Sequence, residues 1–140
     1  MEKPIITENS ISIPSSQEYL VDVDSFVEMK LSAFGAEQST IADIAISVTE
    51  IVINGIVHGN KSMLEKQVTI EIGKQDSAVE IVITDQGAGF DPDSIESPID
   101  EENLMKEVGR GVFITRSLMD SVEIDSSPGQ GTRVTLRKQI

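Results

Sequence analysis

Residues 50–60 read EIVINGIVHGN, and this stretch decides the fold because polar side chains recur in it at helical spacing. Successive residues of an α-helix are rotated by about 100°, which places Asn54 about 40° and His58 about 80° from Glu50. Most of the remaining circumference is apolar, so the helix is predicted to be buried on two sides. A carboxylate, a carboxamide and an imidazole on such a helix are costly unless they face a cleft or find partners.

Two interpretations of this polar stripe stay open from these residues alone. In one, the stripe is the solvated face of a surface helix. In the other, it lines a binding cleft. His58 lies at the predicted end of the helix, where an imidazole interacts favourably with the macrodipole and the last carbonyls, so a structural role is the simpler interpretation for it.

Further along the chain, residues 85–90 read DQGAGF and directly follow an apolar strand. The two glycines would let the backbone approach a flat ligand closely. The carboxylate of Asp85 could accept a hydrogen bond from an exocyclic amine. A tight turn with an Asp cap explains the same residues without any ligand.

Two shorter glycine segments follow. Gly109-Arg110-Gly111 stands before a predicted helix, where free N–H groups and the helix dipole would favour a phosphate and Arg110 could add positive charge. Residues 129–132, GQGT, enter the last predicted strand. Taken alone, the first segment could simply begin a helix, and the second is only a hairpin turn. Neither a Walker A loop nor a Rossmann fingerprint is present.

The hydrophobic pattern predicts helices at about 17–34, 41–58 and 111–119, with Ser39 or Thr40 as the cap of the second. Ser15-Ser16 offers a cap for the first helix, and Gly35 is predicted to end it.

Strands are predicted around Ile11 and Ile13 and in two β-hairpins, which turn at Asp76-Ser77 and at Pro128-Gly129. Residues 86–108 are predicted to form a long mobile loop. Helices and strands mix without strict βαβ alternation. The pattern therefore predicts an α+β two-layer sandwich, with helices packed on one face of a mixed, mainly antiparallel sheet.

Composition narrows the function classes. The chain has 140 residues with 11 Lys+Arg and 24 Asp+Glu, a net charge of −13, which argues against a surface for bare nucleic acid or anionic membrane. It has no cysteine and one histidine, which exclude disulfides and argue against a zinc enzyme. The length suits one domain over 1–140. The start lacks a secretory signal and no apolar run approaches about 20 residues, so a cytoplasmic protein is expected.

The order and spacing of the motifs resemble the GHKL ATPase/kinase superfamily, whose ATP-binding domain is the Bergerat fold (HATPase_c). The resemblance rests on ExxxNxxxHGN at 50–60, DxGxGF at 85–90, GxG at 109–111 and Gly131-Thr132. The small size, the spacing of Glu50 and Asn54, and GRGVFITRSLMD at 109–120 look most like the anti-sigma-factor serine/threonine-protein kinases.

This resemblance implies ATP and Mg²⁺ as cofactors and assigns roles by position. Glu50 would be the general base or water-positioning group, and Asn54 would ligate Mg²⁺ through its amide oxygen. Asp85 would bind the adenine amino group. The remaining implied nucleotide contacts are Thr132 in support of Asp85, Gly87 and Gly89 along the adenine, Gly109, Arg110 and Gly111 at the phosphates, and His58, Asn60 and Lys61 as further phosphate contacts.

Residues 91–108 would form the ATP lid, which closes to exclude water and orient the γ-phosphate. Residues 91–107 hold seven acids and one base, Lys106, so the lid offers few cations to a phosphate. Val112 also stands where longer versions of the motif place another glycine. An acidic chain that binds a polyanion needs local compensation, which predicts weak nucleotide binding without Mg²⁺.

The leading hypothesis is a protein-serine kinase of a bacterial partner-switching system. It would transfer the γ-phosphoryl group of ATP to a serine of a STAS-domain anti-sigma-factor antagonist, with Glu50 accepting the proton, and would sequester a sigma factor. The family also implies a homodimer. One alternative is an ATP-dependent binding module without turnover. Another is a GHKL kinase with an output outside sigma control, and no motif in the sequence decides between these.

Overall fold

A computed structural model describes residues 3–87, 103–126 and 129–140. Six strands form one sheet in the order β1-β2-β3-β4-β6-β5, and every pairing between them is antiparallel. The strands are β1 (Ile5–Ile6), β2 (Ser10–Pro14), β3 (Gln67–Gln75), β4 (Ala78–Thr84), β5 (Ser121–Ser126) and β6 (Thr132–Gln139). The helices are α1 (Leu20–Ala33), α2 (Gln38–Ile53) and α3 (Asn103–Leu118), with a 3₁₀ turn at Gln17–Tyr19 and a π-helical turn at Asn54–Gly59.

The alternation of apolar and polar residues fixes which face of the sheet is covered. Because side chains alternate across a strand, paired positions share a face, and one cross-strand row is apolar throughout. This row consists of Ile11, Ile70, Ile83, Val134 and Ile124. The helices pack over it, and their buried side chains join those of the sheet in one hydrophobic cluster. The predicted α+β sandwich is confirmed.

The N-terminal predictions agree with the structure, with one strand added. Ser16 accepts a hydrogen bond from the Glu18 N–H at the start of the 3₁₀ turn, and α1 continues from that turn. Gly35 has φ +87° directly after the end of α1, as expected of a glycine in a helix C-cap. The added strand, β1, is only two residues long and has no alternation that could reveal it.

The start of α2 differs from the prediction. The helix begins at Gln38 with Glu37 in the N-cap position, so neither Ser39 nor Thr40 caps it. After Ile53 the helix widens into the π-helical turn, where the Asn60 N–H donates to the Gly55 carbonyl over 2.7 Å. Single π-helical turns are frequent at functional sites, and this one occupies the stretch that the sequence singles out.

The start of α3 also corrects the prediction. The helix begins at Asn103 rather than Gly111, so the last part of the predicted 86–108 loop is helical. A glycine inside a helix is about 1 kcal/mol less favourable than alanine. Burial of Val112 and Met119 in the core, each worth roughly 1.5–3 kcal/mol, offsets the two glycines. Residues 91–102 of the predicted lid lie outside the described residues.

The helical run Gln38–Gly59 has 22 residues and is long and apolar enough to cross a bilayer by length and composition alone. The buried central helix of a soluble fold meets the same criterion. Here Ile44, Val48 and Val52 are fully buried in the core that the run shares with the sheet, so its composition is weak evidence for a membrane span.

Candidate functional site

Asp85 is held in place by backbone hydrogen bonds at the end of β4. Its Oδ1 accepts from the N–H of Gly87 over 2.9 Å and from the N–H of Thr132 over 3.2 Å. Its own N–H donates to the Thr132 carbonyl over 2.9 Å. Because Thr132 begins β6, the carboxylate is tied both to its own turn and to the neighbouring strand. The structure thus brings Asp85, Gly87 and Thr132 together, as the motif spacing implied.

Glycines surround this carboxylate because side chains would not fit. A Cβ added to Gly59 would lie 2.5 Å from Asp85 Oδ2, and one added to Gly131 would lie 2.7 Å from the Asp85 carbonyl oxygen. A Cβ on Gly87 would overlap the Gly59 carbonyl. The absence of side chains at these positions lets the backbone pack closely around Asp85, whose carboxylate could accept a hydrogen bond from an amine.

Burial raises the pKa of the Asp85 carboxyl above its usual range. The hydrogen bonds from Gly87 and Thr132 and the charge of Lys66 act in the opposite direction, since they favour the ionised form. Burial has the larger effect, so the pKa is raised on balance while these donors partly compensate for the cost of ionisation.

The Asn60 side chain lies inside the protein. It is 0% exposed, and its amide is bonded within the protein. Nδ2 donates to Ser15 Oγ over 2.9 Å and to the Gln67 carbonyl over 3.0 Å, while Oδ1 accepts from the Gln86 N–H over 2.8 Å. In this structure the Asn60 side chain is engaged within the protein, so these contacts favour a structural role over the expected phosphate contact.

Glu50 and Asn54 share one face of the α2 region, and α3 lies against that face. A Cβ on Gly111 would be 3.3 Å from Glu50 Oε2 and 3.3 Å from Asn54 Nδ2. Thr115, buried one turn further along, donates its hydroxyl to the Gly111 carbonyl over 2.9 Å. The carboxylate and the carboxamide therefore come together at a glycine that permits close approach of α3.

The second glycine segment is not where it was predicted. Gly109 and Gly111 lie inside α3, beyond its first four residues, so their N–H groups belong to the helix and do not form the expected helix N-terminus. Arg110, between them, is exposed. The predicted helix start is therefore wrong, and the role of these glycines at the phosphates stays a prediction.

The remaining expected nucleotide contacts are His58, Lys61 and Gly89. His58 is half-buried on the π-helical turn, whereas Lys61 is exposed directly after it. Lys61 and Ser62 have φ of +54° and +57°, an uncommon conformation for residues other than glycine. Gly89 lies outside the described residues.

The donor set at Glu50 and Asn54 fits a hard cation. Mg²⁺ prefers oxygen ligands and retains several waters, so one amide oxygen beside a carboxylate suffices when substrate phosphates supply the rest. In the part of the chain that the structure describes, no three His, Asp or Glu side chains converge as a metal cage. Asn54 is thus the residue that would hold the ion, with Glu50 one turn away.

Two residues that support the site, Gln86 and Ser15, were not predicted from the sequence. Gln86 accepts from the Gln67 N–H through Oε1 over 2.8 Å, and Ser15 donates to the Lys66 carbonyl over 2.6 Å. Gln86 has no local signal, because its partner Gln67 is 19 residues away. No local signal marks Ser15, whose partners are 45 and 51 residues away.

Comparison with protein families agrees with this geometry. The family model described as "Histidine kinase-like ATPase domain" matches residues 13–138. The matched range includes the whole site, from Ser15 at the first helix to Thr132 in the last strand.

The names of similar proteins are more specific than the description of the family. The chain is 36% identical over 102 residues to the anti-sigma F factor of Oceanobacillus iheyensis, covering 71% of this chain and 70% of the relative. It is 31% identical over 123 residues to the anti-sigma F factor of Bacillus subtilis, covering 84% of each chain.

Solved structures show the same fold at lower identity. The RsbU and RsbW domains of a Mycobacterium tuberculosis protein match with a TM-score of 0.69 and 20% identity, over 99% of this chain and 32% of that longer chain. A histidine kinase domain from Erythrobacter litoralis matches with a TM-score of 0.56 and 17% identity, over 91% of this chain and 61% of that one.

Proposed function

The chain belongs to the histidine kinase-like ATPase domain family (the GHKL superfamily), in its anti-sigma-factor group, and from this premise we propose that it is a protein-serine kinase that uses ATP. The observation that carries the proposal is that the site has two sets of polar side chains, each held in place in a different way. Asp85 is held by backbone N–H groups for recognition of a base, while Glu50 and Asn54 lie together for phosphoryl chemistry.

Adenine recognition by Asp85 is supported by its hydrogen bonds. Oδ1 is already occupied by Gly87 and Thr132, and Oδ2 lies beside Gly59 with no hydrogen bond from any residue that the structure describes. The exocyclic amine of adenine would donate to Oδ2. Gly87 and Gly131 let the backbone pack closely around Asp85, because a Cβ on either would overlap the Gly59 or the Asp85 carbonyl.

Phosphoryl transfer by Glu50 is supported by its proximity to Asn54. When bound, Mg²⁺ would neutralise charge on the phosphates and would be held by the Asn54 amide oxygen. Glu50 would accept the proton of the attacking serine hydroxyl, which bonds to the γ-phosphorus as the bond from that phosphorus to the ADP oxygen breaks. Because Glu50 and Asn54 lie on one helical face, the proposed base and the proposed metal ligand would be held at a fixed position relative to each other.

The phosphate end requires a change in α3. Gly109 and Gly111 would supply N–H donors to the phosphates, yet both amides lie within the helix. We therefore propose that the first turns of α3 unwind when ATP binds, since glycine is a poor helix former and easily gives up this conformation. Residues 91–108 would then act as the lid, with Arg110, His58 and Lys61 as the proposed further phosphate contacts.

The names of the relatives support a sigma factor as one partner, while the family resemblance implies the STAS-domain antagonist and the homodimer. We propose that the chain binds and sequesters a sigma factor, as the name anti-sigma F factor indicates for its relatives, and that its serine substrate is a STAS-domain antagonist. We further propose a cytoplasmic homodimer. The net charge of −13 makes direct binding to nucleic acid or to anionic membrane unfavourable.

The test is transfer of label from [γ-³²P]ATP to the cognate STAS-domain protein. We expect serine phosphorylation by the wild type and a decrease of about 10²–10⁴-fold in Glu50→Gln, the range for loss of a general base. Glu50→Gln should still bind ATP, because the amide keeps the size of the carboxylate.

Absence of phosphorylation by a wild type that binds ATP and the sigma factor would overturn the kinase assignment and favour the non-catalytic binding module. Phosphorylation of a protein unrelated to sigma control would favour the other alternative. Neighbouring genes that encode a STAS protein or a sigma factor identify the partners to test first.

A further inference from the structure

Asn60 joins four segments of the chain at one buried point. Through its side chain it contacts Ser15 between β2 and the first helix, Gln67 at the start of β3, and Gln86 after β4. Its own N–H closes the π-helical turn on the Gly55 carbonyl. A fully buried amide with three side-chain hydrogen bonds and one backbone bond has a single arrangement in which all are satisfied.

The bond to Gln86 matters most for the site, because Gln86 is the residue between Asp85 and Gly87. Asn60 Oδ1 accepts from the Gln86 N–H over 2.8 Å, and Gln86 Oε1 accepts from the Gln67 N–H over 2.8 Å. The turn is thus fixed both by its backbone and by its side chain. The next N–H, that of Gly87, holds the Asp85 carboxylate.

The close packing of Gly87 on Gly59 makes this placement sensitive to small shifts. Gly59 immediately precedes Asn60, and there is no room for even a Cβ between Gly87 and the Gly59 carbonyl. Movement of Asn60 would therefore be transmitted to Gly87, and through its N–H to the Asp85 Oδ1 atom. The chain of contacts is continuous from Asn60 to the group that would receive the adenine amine.

We infer that Asn60 is a positioning residue for base specificity: it fixes the Gln86–Gly87 backbone so that Asp85 presents its carboxylate to a purine with an exocyclic amine. This inference rests on the proposed function, because it takes ATP as the ligand of Asp85. Under this inference, Asn60 would help the site distinguish amino purines from oxo purines without touching the nucleotide itself.

The experiment compares two nucleotides on the full chain. Inosine triphosphate has an oxygen where ATP has the exocyclic amine, so it tests the Asp85 hydrogen bond while keeping the sugar and phosphates. The dissociation constants of both are measured by calorimetry with Mg²⁺ for the wild type, Asn60→Ala and Ser15→Ala. Ser15→Ala is the milder variant, because it removes one acceptor of the Asn60 amide and the bond from Ser15 to the Lys66 carbonyl but leaves the Gln86 bond.

Ser47→Ala serves as the matched control. Ser47 is another buried polar side chain, on α2, and its hydroxyl donates to the Asp43 carbonyl over 2.9 Å without any link to Asp85. Its removal tests what loss of a buried hydrogen bond does to stability alone. Hydrogen exchange of the Gln86 amide in the nucleotide-free chain gives a second readout that does not depend on binding.

We expect Asn60→Ala to weaken ATP binding about tenfold or more and to change inosine triphosphate binding by less than about twofold, so that the preference for ATP is lost. Ser15→Ala should give an intermediate loss, and the Gln86 amide should exchange faster in both variants. Ser47→Ala should leave the preference for ATP at the wild-type value.

Three results would overturn the inference in different ways. A wild type that binds neither nucleotide would overturn the proposed function and this inference with it. A wild type that binds both equally would overturn the role of Asp85. A wild type that prefers ATP, with the same preference in folded Asn60→Ala, or in Ser15→Ala if Asn60→Ala does not fold, would show that Asn60 only stabilises the fold.

Discussion

The two ends of the candidate site are built differently. At the Asp85 end, the acceptor is fixed by the N–H groups of Gly87 and Thr132, and glycines exclude side chains from around it. At the other end, Glu50 and Asn54 meet the flank of α3 at Gly111, and the glycines expected at the phosphates lie inside that helix.

This difference indicates that the Asp85 end of the site is formed before ligand binding, whereas the phosphate end at α3 is not. The backbone donors at Asp85 need no rearrangement to present the carboxylate, so under the proposed function adenine recognition would be preorganised. The N–H groups of Gly109 and Gly111 are engaged in a helix, so phosphate binding through them requires a different conformation of α3. Affinity for ATP is then reduced by the free energy of that rearrangement.

The largest expected effect comes from adding one methyl group at the rigid end. Gly87→Ala places a Cβ onto the Gly59 carbonyl, and a backbone atom cannot move aside as a side chain can. We expect a loss of about 3 kcal/mol or more in the free energy of unfolding, measured by urea denaturation. Gly73→Ala is the control, since a Cβ there meets nothing within 4 Å, and it should have wild-type stability or better. Equal stability of both variants would contradict the close packing at Gly87.

Asp85→Asn separates recognition from stability. The amide oxygen can still accept from Gly87 and Thr132, but the nitrogen cannot accept the adenine amine, so ATP affinity should fall about 10- to 100-fold. Burial raises the pKa of Asp85, so the folded state binds its proton more readily than the unfolded state, and ionisation at neutral pH destabilises the fold. Asp85→Asn should therefore be at least as stable as the wild type at pH 7, as measured by thermal unfolding.

The pH dependence supplies the control for this reasoning. The stability advantage of Asp85→Asn over the wild type should shrink as the pH is lowered through the raised pKa, because the wild-type carboxyl then becomes neutral as well. A variant that is less stable than the wild type at pH 7 would show that the charge itself holds the turn.

Structural features that depend on residues close together in the sequence were predicted, whereas contacts between distant residues were not predicted from local patterns. The alternation around Ile70 and Ile83 and the Asp76 turn are local, and they predict the β3–β4 hairpin that the structure has. The proximity of Asp85 and Thr132 came from a family resemblance, because their hydrogen bond spans 47 residues and no local pattern encodes it.

The features that local patterns did not predict involve residues whose role depends on tertiary packing. Gly109 and Gly111 favour a helix boundary by propensity, yet α3 extends through both because its apolar face is buried. Asn60 reads as a polar residue of a binding motif, and its burial follows from partners at Ser15 and Gln86 that are distant in sequence. The π-helical turn at 54–59 likewise has no propensity signal.

The smallest expected effect is at the adaptable end. Gly111→Ala should stabilise α3 by about 1 kcal/mol or less through helix propensity, partly offset by the approach of its Cβ to Glu50 and Asn54 at 3.3 Å. Those neighbours are ends of side chains that can shift. Because a more stable helix is harder to unwind, ATP affinity should fall by about fivefold or less while the Tm does not fall. A rise in ATP affinity would contradict the proposed change in α3.

The most direct measurement is NMR of the backbone with and without Mg²⁺ and a non-hydrolysable ATP analogue. The Cα chemical shifts of Gly109 and Gly111 should be helical in the nucleotide-free chain and lose that character on binding. The hydrogen exchange of the Gly87 and Thr132 amides should be slow in both states. Helical shifts at Gly109 and Gly111 in the saturated complex, or Gly87 and Thr132 amides that become protected only on binding, would contradict the account.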